Sequence, residues 1–161
     1  MPGATGPVHP PLENQSPTAG EFIRELRGSD YEQLLALWRR TGQRINPAGR
    51  ESPEAIGRLL EAMGPFMLVA EDGDRLVGVA LGSHDGYEGF INRVAVDAEH
   101  RRRGLARRLI DEAERRLADK GIRKTVVIVD EASQGSIEAF RRMGYRVGGN
   151  VTYLCKREGH E

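Results

Sequence analysis

The sequence predicts a mixed α/β fold, a central sheet with helices on both faces. Three observations carry it. The hydrophobic patterns run strand, two helices, three strands, helix, strand, helix, two strands. Leu105, Leu109, Ala113 and Leu117 repeat every four residues, and Ile110 widens the stripe, which marks an amphipathic helix. Thr125 to Val129 is an unbroken β-branched run, the pattern of a strand covered on both faces.

Each element follows from local chemistry. Met1 to Gly20 is rich in Pro, Gly, Ser and Thr without apolar periodicity, so 1–20 is expected to be a flexible tail and 21–161 the folded domain. Phe22 to Leu26 alternates apolar and charged residues, as a strand does. Ser29 or Asp30 can cap a helix to about Arg40 that buries Leu34, Leu37 and Trp38. Gly42 to Arg50 is a polar loop. Ser52-Pro53-Glu54 starts a second helix, with Ser as cap and Pro at the first position, ending near Gly64-Pro65.

Strands follow at Phe66 to Ala70, Arg75 to Ser83, and into Val96, with hairpin signals at Asp72-Gly73 and Asp85-Gly86. The long helix stops near Lys120-Gly121. A last helix spans Ser136 to Met143 and ends at Gly144. Tyr145 to Val147 and Val151 to Cys155 flank Gly148-Gly149-Asn150, the pattern of a closing hairpin.

Composition narrows the function. The chain has 161 residues, 39% apolar and 30% charged, with zero formal net charge. That suits one soluble domain and argues against nucleic acid or an anionic membrane as the main partner. A single cysteine, Cys155, excludes an internal disulfide and fits a reducing cytoplasmic setting. No apolar run approaches a membrane span, and no signal-peptide core is present. His9, His84, His100 and His160 have no paired spacing, so no metal site is expected.

Positive charge is concentrated instead. Arg101, Arg102 and Arg103 crowd the start of the long helix, where Asp or Glu is the usual choice. Cations beside free backbone N–H groups call for an anion, and the adjacent Gly104 lets a phosphate approach.

Arg101-Arg102-Arg103-Gly104-Leu105-Ala106, after the strand end Val94-Ala95-Val96, resembles the GNAT superfamily signature Gln/Arg-x-x-Gly-x-Gly/Ala. The resemblance runs from about Phe22 to Tyr153. It implies the GNAT fold, a mostly antiparallel central sheet, and N-acetyl transfer from acetyl-CoA to a primary amine. It also implies that backbone groups of Val94, Ala95 and Val96 hold the pantetheine and thioester oxygen. The pyrophosphate would lie over Arg102 to Arg107, with Arg101 opening the signature and Leu105 turned into the core.

The penultimate helix departs from the family. Its usual Asn is Ser133, which can bond CoA or cap the helix, and its usual Tyr acid is Phe140. A thiolate, near an ordinary thiol pKa of ~8.5, can leave without an acid. Base candidates are His84, Asp85, Glu88 and Asn92, each better explained as a surface hairpin residue than as a base. Arg40 and Arg44 fall where family members shape the acceptor pocket. No Cys or Ser is placed for a covalent intermediate, so direct attack in a ternary complex is expected. The alternative is a non-catalytic acyl-CoA-binding module.

Overall fold

The computed structural model describes residues 20–156 and 158. The expected tail, 1–20, lies outside the described residues apart from Gly20. The elements are β1 (Phe22–Glu25), α1 (Tyr31–Arg40), α2 (Pro53–Met63), β2 (Met67–Asp72), β3 (Arg75–His84), β4 (Gly89–Val96), α3 (Leu105–Asp119), β5 (Thr125–Val127) and α4 (Gln134–Arg142). Short 3-10 turns precede α1 and β2, and a third, Ala98–His100, links β4 to α3. The strands form one sheet in the order β1-β2-β3-β4-β5, and β1 through β4 pair antiparallel. The chain divides into two compact units between Val126 and Val127.

Strand alternation sorts the first unit into two faces. Met67, Val69, Val79 and Leu81 join Leu34, Leu37, Trp38 and Ile56 in one core, so α1 and α2 cover that side. The other side takes α3, whose Leu105, Leu109, Ile110 and Leu117 are buried. Burial of each such side chain stabilises by about 1.5–3 kcal/mol. Contact is close because β4 offers glycine there: a Cβ on Gly89 would lie 2.6 Å from Leu117 Cδ1.

Caps fix the helix ends. Ser52 Oγ accepts from the Ala55 N–H at 3.2 Å, as the Ser-Pro pattern predicts. The α3 helix closes on Gly121: Ile122 N–H reaches Leu117 O at 3.0 Å and Gly121 N–H reaches Ala118 O at 2.9 Å. Asp30, by contrast, does not cap α1 with its side chain. Its carboxylate accepts from the Arg27 N–H at 2.8 Å and from Arg24. The Arg24 guanidinium holds it below the usual carboxylate range.

Two expectations differ from the structure. β5 is three residues long rather than five, and its residues are half-buried rather than buried. The closing hairpin is absent among the described residues: 145–147 and 151–155 are not strands. Val147, Val151, Tyr153 and Leu154 are exposed. Alternation gives a segment an apolar face, but a strand exists only where a ladder partner accepts its hydrogen bonds. In the second unit α4 closes on Gly144, with Tyr145 N–H donating to Phe140 O at 3.1 Å. The Phe140 and Tyr145 rings then meet edge to face at 5.2 Å, the apolar contact that accompanies this helix end.

Candidate active site

The site begins with an irregularity in β4. Val79 pairs with Ala95 and Leu81 with Asn92, so Arg93 and Val94 together stand opposite Ala80 alone. This is a bulge, and it takes two residues out of the ladder. Arg93 adopts φ 51°, a left-handed conformation that costs about 1–3 kcal/mol in a residue with a side chain. Ala95 and Val96 return to the ladder and are buried.

Residues of α1 and of the 42–52 loop hold that conformation. The Arg93 guanidinium lies 5.0 Å over the Trp38 ring and donates to Arg44 O at 2.8 Å. It also donates to buried Glu51. Burial draws the Arg93 guanidinium below its ordinary pKa, while the Glu51 charge opposes that shift. Gln43 Nε2 donates to Val94 O at 3.0 Å, so the bulge carbonyl is already satisfied. The Glu51 carboxylate further accepts from Asn46 N–H at 2.7 Å and meets Arg50 Nε at 3.0 Å. Beside this network opens a cavity of about 300 Å³, walled by Ile56, Met63 and Met67 on one side and by Ser83, Asn92 and Arg93 on the other.

At the opposite end of β4 the chain turns into α3. Asp97 N–H donates to Val77 O at 2.8 Å, and the Asp97 carboxylate binds Arg40 at 2.9 Å and Arg75 at 3.0 Å. His100 Nε2 meets Asp72 Oδ2 at 2.9 Å. These anchors set the loop 101–104. Arg102 (φ 63°) and Gly104 (φ 74°) are both left-handed, the geometry from which anion-binding turns are built. Gly104 is the N-cap of α3 without a side-chain cap, and the first turn carries no acidic residue.

The arginines differ in their commitments. Arg101 Nε donates to Val96 O at 3.0 Å. Arg108 donates to Glu21 O at 2.9 Å, and Arg107 lies 3.6 Å from Asp111. Arg103 approaches Glu21 only at 3.8 Å. Arg102 is exposed with no partner among the described residues. Leu105 is buried and Ala106 half-buried.

The remaining candidates have structural partners. His84 Nδ1 lies 3.1 Å from the Gly86 N–H, and its ring meets Phe66 edge to face at 5.0 Å. Asp85 Oδ1 accepts from Tyr87 and Glu88 N–H, each at 2.7 Å, and those bonds lower its pKa. Glu88 is paired with Lys124. Arg40 also donates to Leu76 O, so it braces β3, and Arg44 takes part through its carbonyl. Ser133 is the N-cap of α4 but makes no side-chain cap bond. Phe140 and Tyr145 line a cavity of about 550 Å³ within the second unit. Among the described residues no helix is long and apolar enough to cross a membrane, and no cluster of His, Cys, Asp or Glu could hold a metal ion.

Comparison with known proteins agrees with this architecture. The acetyltransferase (GNAT) family model matches residues 23–145. An acetyltransferase of Photorhabdus laumondii is 34% identical over 76% of this chain and 85% of its own length. One of Sodalis glossinidius is 31% identical over 84% of this chain and 94% of its own. Among solved structures, the apo aminoglycoside 6'-N-acetyltransferase AAC(6')-IG of Acinetobacter haemolyticus superposes with TM-score 0.70 at 19% identity, covering 86% of this chain and 99% of that one. AAC(6')-Iy, bound to the bisubstrate analogue CoA-S-monomethyl-acetylneamine, gives TM-score 0.68 at 20% identity, covering 86% and 99%. At that identity the structures speak to fold alone, whereas the family match and the bacterial relatives place the sequence: the chain belongs to the acetyltransferase (GNAT) family.

Proposed function

We propose that the protein transfers the acetyl group of acetyl-CoA to a primary amine by direct attack in a ternary complex, and that it works in the cytoplasm. The observation that carries this reading is the pairing of a bulge at Arg93-Val94 with an uncapped, cation-crowded helix start one strand-end away. The bulge frees backbone from the ladder for the thioester, and the loop 101–104 suits a pyrophosphate. The free amine nitrogen attacks the thioester carbon, the C–N bond forms, and the C–S bond breaks with its electron pair on sulfur.

Proton handling follows from what lines the cavity. Its one carboxylate, Glu51, is committed to Arg93 and Arg50. Ser83 has no imidazole or free carboxylate bonded to it, so an acyl-enzyme is disfavoured. The attacking nitrogen therefore gives its proton to solvent. Phe140, where the family carries Tyr, has no proton to offer the thiolate, which is the observation favouring a binding module.

Thiol release from acetyl-CoA, measured with a set of primary amines across roughly pH 6 to 10, tests the reading. Release should need an amine, and kcat/KM should climb along the amine's own ionisation. A stable acetylated protein would exclude direct attack. Intact acetyl-CoA binding with no release from any amine class would support the binding module instead.

A further inference from the structure

We infer that the acceptor is a small amine that also carries a carboxylate and an apolar body, of amino-acid size, and that Arg50 is its specificity-determining residue. The inference rests on the acetyl-transfer reading, because it assigns the 300 Å³ cavity beside the bulge to the acceptor.

Three observations point this way. The first is charge. The lining contains Arg50, Arg93 and Glu51 as its ionisable groups, leaving one positive charge in excess. A polyamine or aminoglycoside brings several ammonium groups and would find no carboxylate free to receive them.

The second is the state of Arg50. Its Nε contacts Glu51 at 3.0 Å while the side chain stays 70% exposed. The contact is made through Nε, on the side of the guanidinium away from its terminal fork edge. Arg93, in contrast, is spent on Glu51, Arg44 O and Trp38. A half-used guanidinium fork matches a carboxylate in a way no neutral group does.

The third is shape and polarity. Ile56, Leu59, Met63, Met67 and Leu81 form the apolar wall, and Leu59 is 42% exposed on α2, an uncovered leucine beside the opening. The volume lies at the bottom of the ~300–1,000 Å³ range of small-molecule pockets. It suits a single branched or aromatic side chain rather than several sugar rings. With the carboxylate on Arg50 and the apolar body on Ile56 and Leu59, the amine points toward Asn92 and Arg93, where β4 bulges.

The experiment compares leucine and phenylalanine with isopentylamine and phenethylamine, which keep the apolar body and lack the carboxylate, and with spermidine. Thiol release is referred to the free-amine concentration, and binding to the CoA-loaded protein is followed by saturation-transfer NMR. The amino acids should be preferred by about tenfold or more, the size expected of a charge-assisted bond at a part-exposed site. Arg50→Gln should erase that preference through KM, bringing the leucine-to-isopentylamine ratio of kcat/KM close to one. Arg50→Lys should restore part of it. A preference for spermidine, or leucine binding unaffected by Arg50→Gln, overturns the inference. The NMR arm needs no turnover, so failure of acetyl transfer and failure of the acceptor assignment are read separately: loss of acetyl-CoA binding marks the first, absence of leucine binding the second.

Discussion

Two groups of arginines flank β4, and they are built oppositely. Arg93 beside the cavity and Arg40 at the far end of β4 each face a buried carboxylate, Glu51 and Asp97. Their charge is neutralised inside the protein and serves to hold the bulge and the strand beneath it. At the start of α3, Arg102 and Arg103 are exposed on a helix end without an acidic first turn. Here cationic charge is weakly matched, Arg103 meeting Glu21 only at 3.8 Å. Guanidinium groups of the first kind are scaffold, those of the second kind are the receptors that the proposed function requires for an anion, and Arg50 stands between the two.

Breaking the scaffold group should have the largest effect. Arg93→Ala removes the partner of a carboxylate that is 3% exposed, and leaves it only Arg50 and one backbone N–H. Loss of one member of a buried pair costs about 3–5 kcal/mol. Urea unfolding should show a loss near the lower figure, since Arg50 compensates in part. Arg50→Gln should cost less than about 1 kcal/mol. Equal losses from both would erase the distinction drawn between them.

The receptor group predicts binding defects without stability defects. Arg102→Ala should weaken acetyl-CoA binding about five- to tenfold by calorimetry, the scale of one exposed charge-assisted contact. Arg107→Ala, tied to Asp111 at 3.6 Å, should change it less. The melting temperature should stay within about 2 °C of the native protein in both. The opposite ranking would move the phosphates further along α3.

The smallest effect lies in acid. Bonds from Arg115, and then Arg116, lower the Glu112 pKa from 4.5 to about 2. The folded value is depressed, so this contribution is complete above pH 4.5 and is lost as pH falls toward 2. The group is partly exposed on α3 and the gain is screened accordingly. Glu112→Gln should therefore lower the melting temperature by only a few degrees, about 2–4 °C, at neutral pH, and the difference should shrink in acid.

The sequence shows the receptor group and hides the scaffold group, for a physical reason. Arg101 to Ala106 is contiguous, and the stripe of Leu105, Leu109 and Leu117 fixes its place at a helix start. Ser52-Pro53, Gly121 and Gly144 are equally local signals and mark the helix ends observed. Glu51 and Arg93 stand 42 residues apart, and nothing in either neighbourhood announces the other. One signal was present. Asn92 and Arg93 put two polar residues in succession into a strand, which breaks the alternation where the bulge occurs. Arg40, read as an acceptor-side residue, proves to brace Asp97 and Leu76 O. The pattern from Tyr145 to Cys155 specified an apolar face but not the partner needed to make it a strand.

Calorimetry of acetyl-CoA with native protein and Gly104→Val, each at low and high salt, tests the central claim most directly. Gly104 has φ 74° and open space around it, so a branched side chain strains the turn and fills the room a phosphate needs. The native affinity should fall steeply with salt, and the folded Gly104→Val protein should lose at least about tenfold, or roughly 1.4 kcal/mol. Unchanged affinity in a folded Gly104→Val protein, or binding indifferent to salt, would contradict a phosphate site at the start of α3.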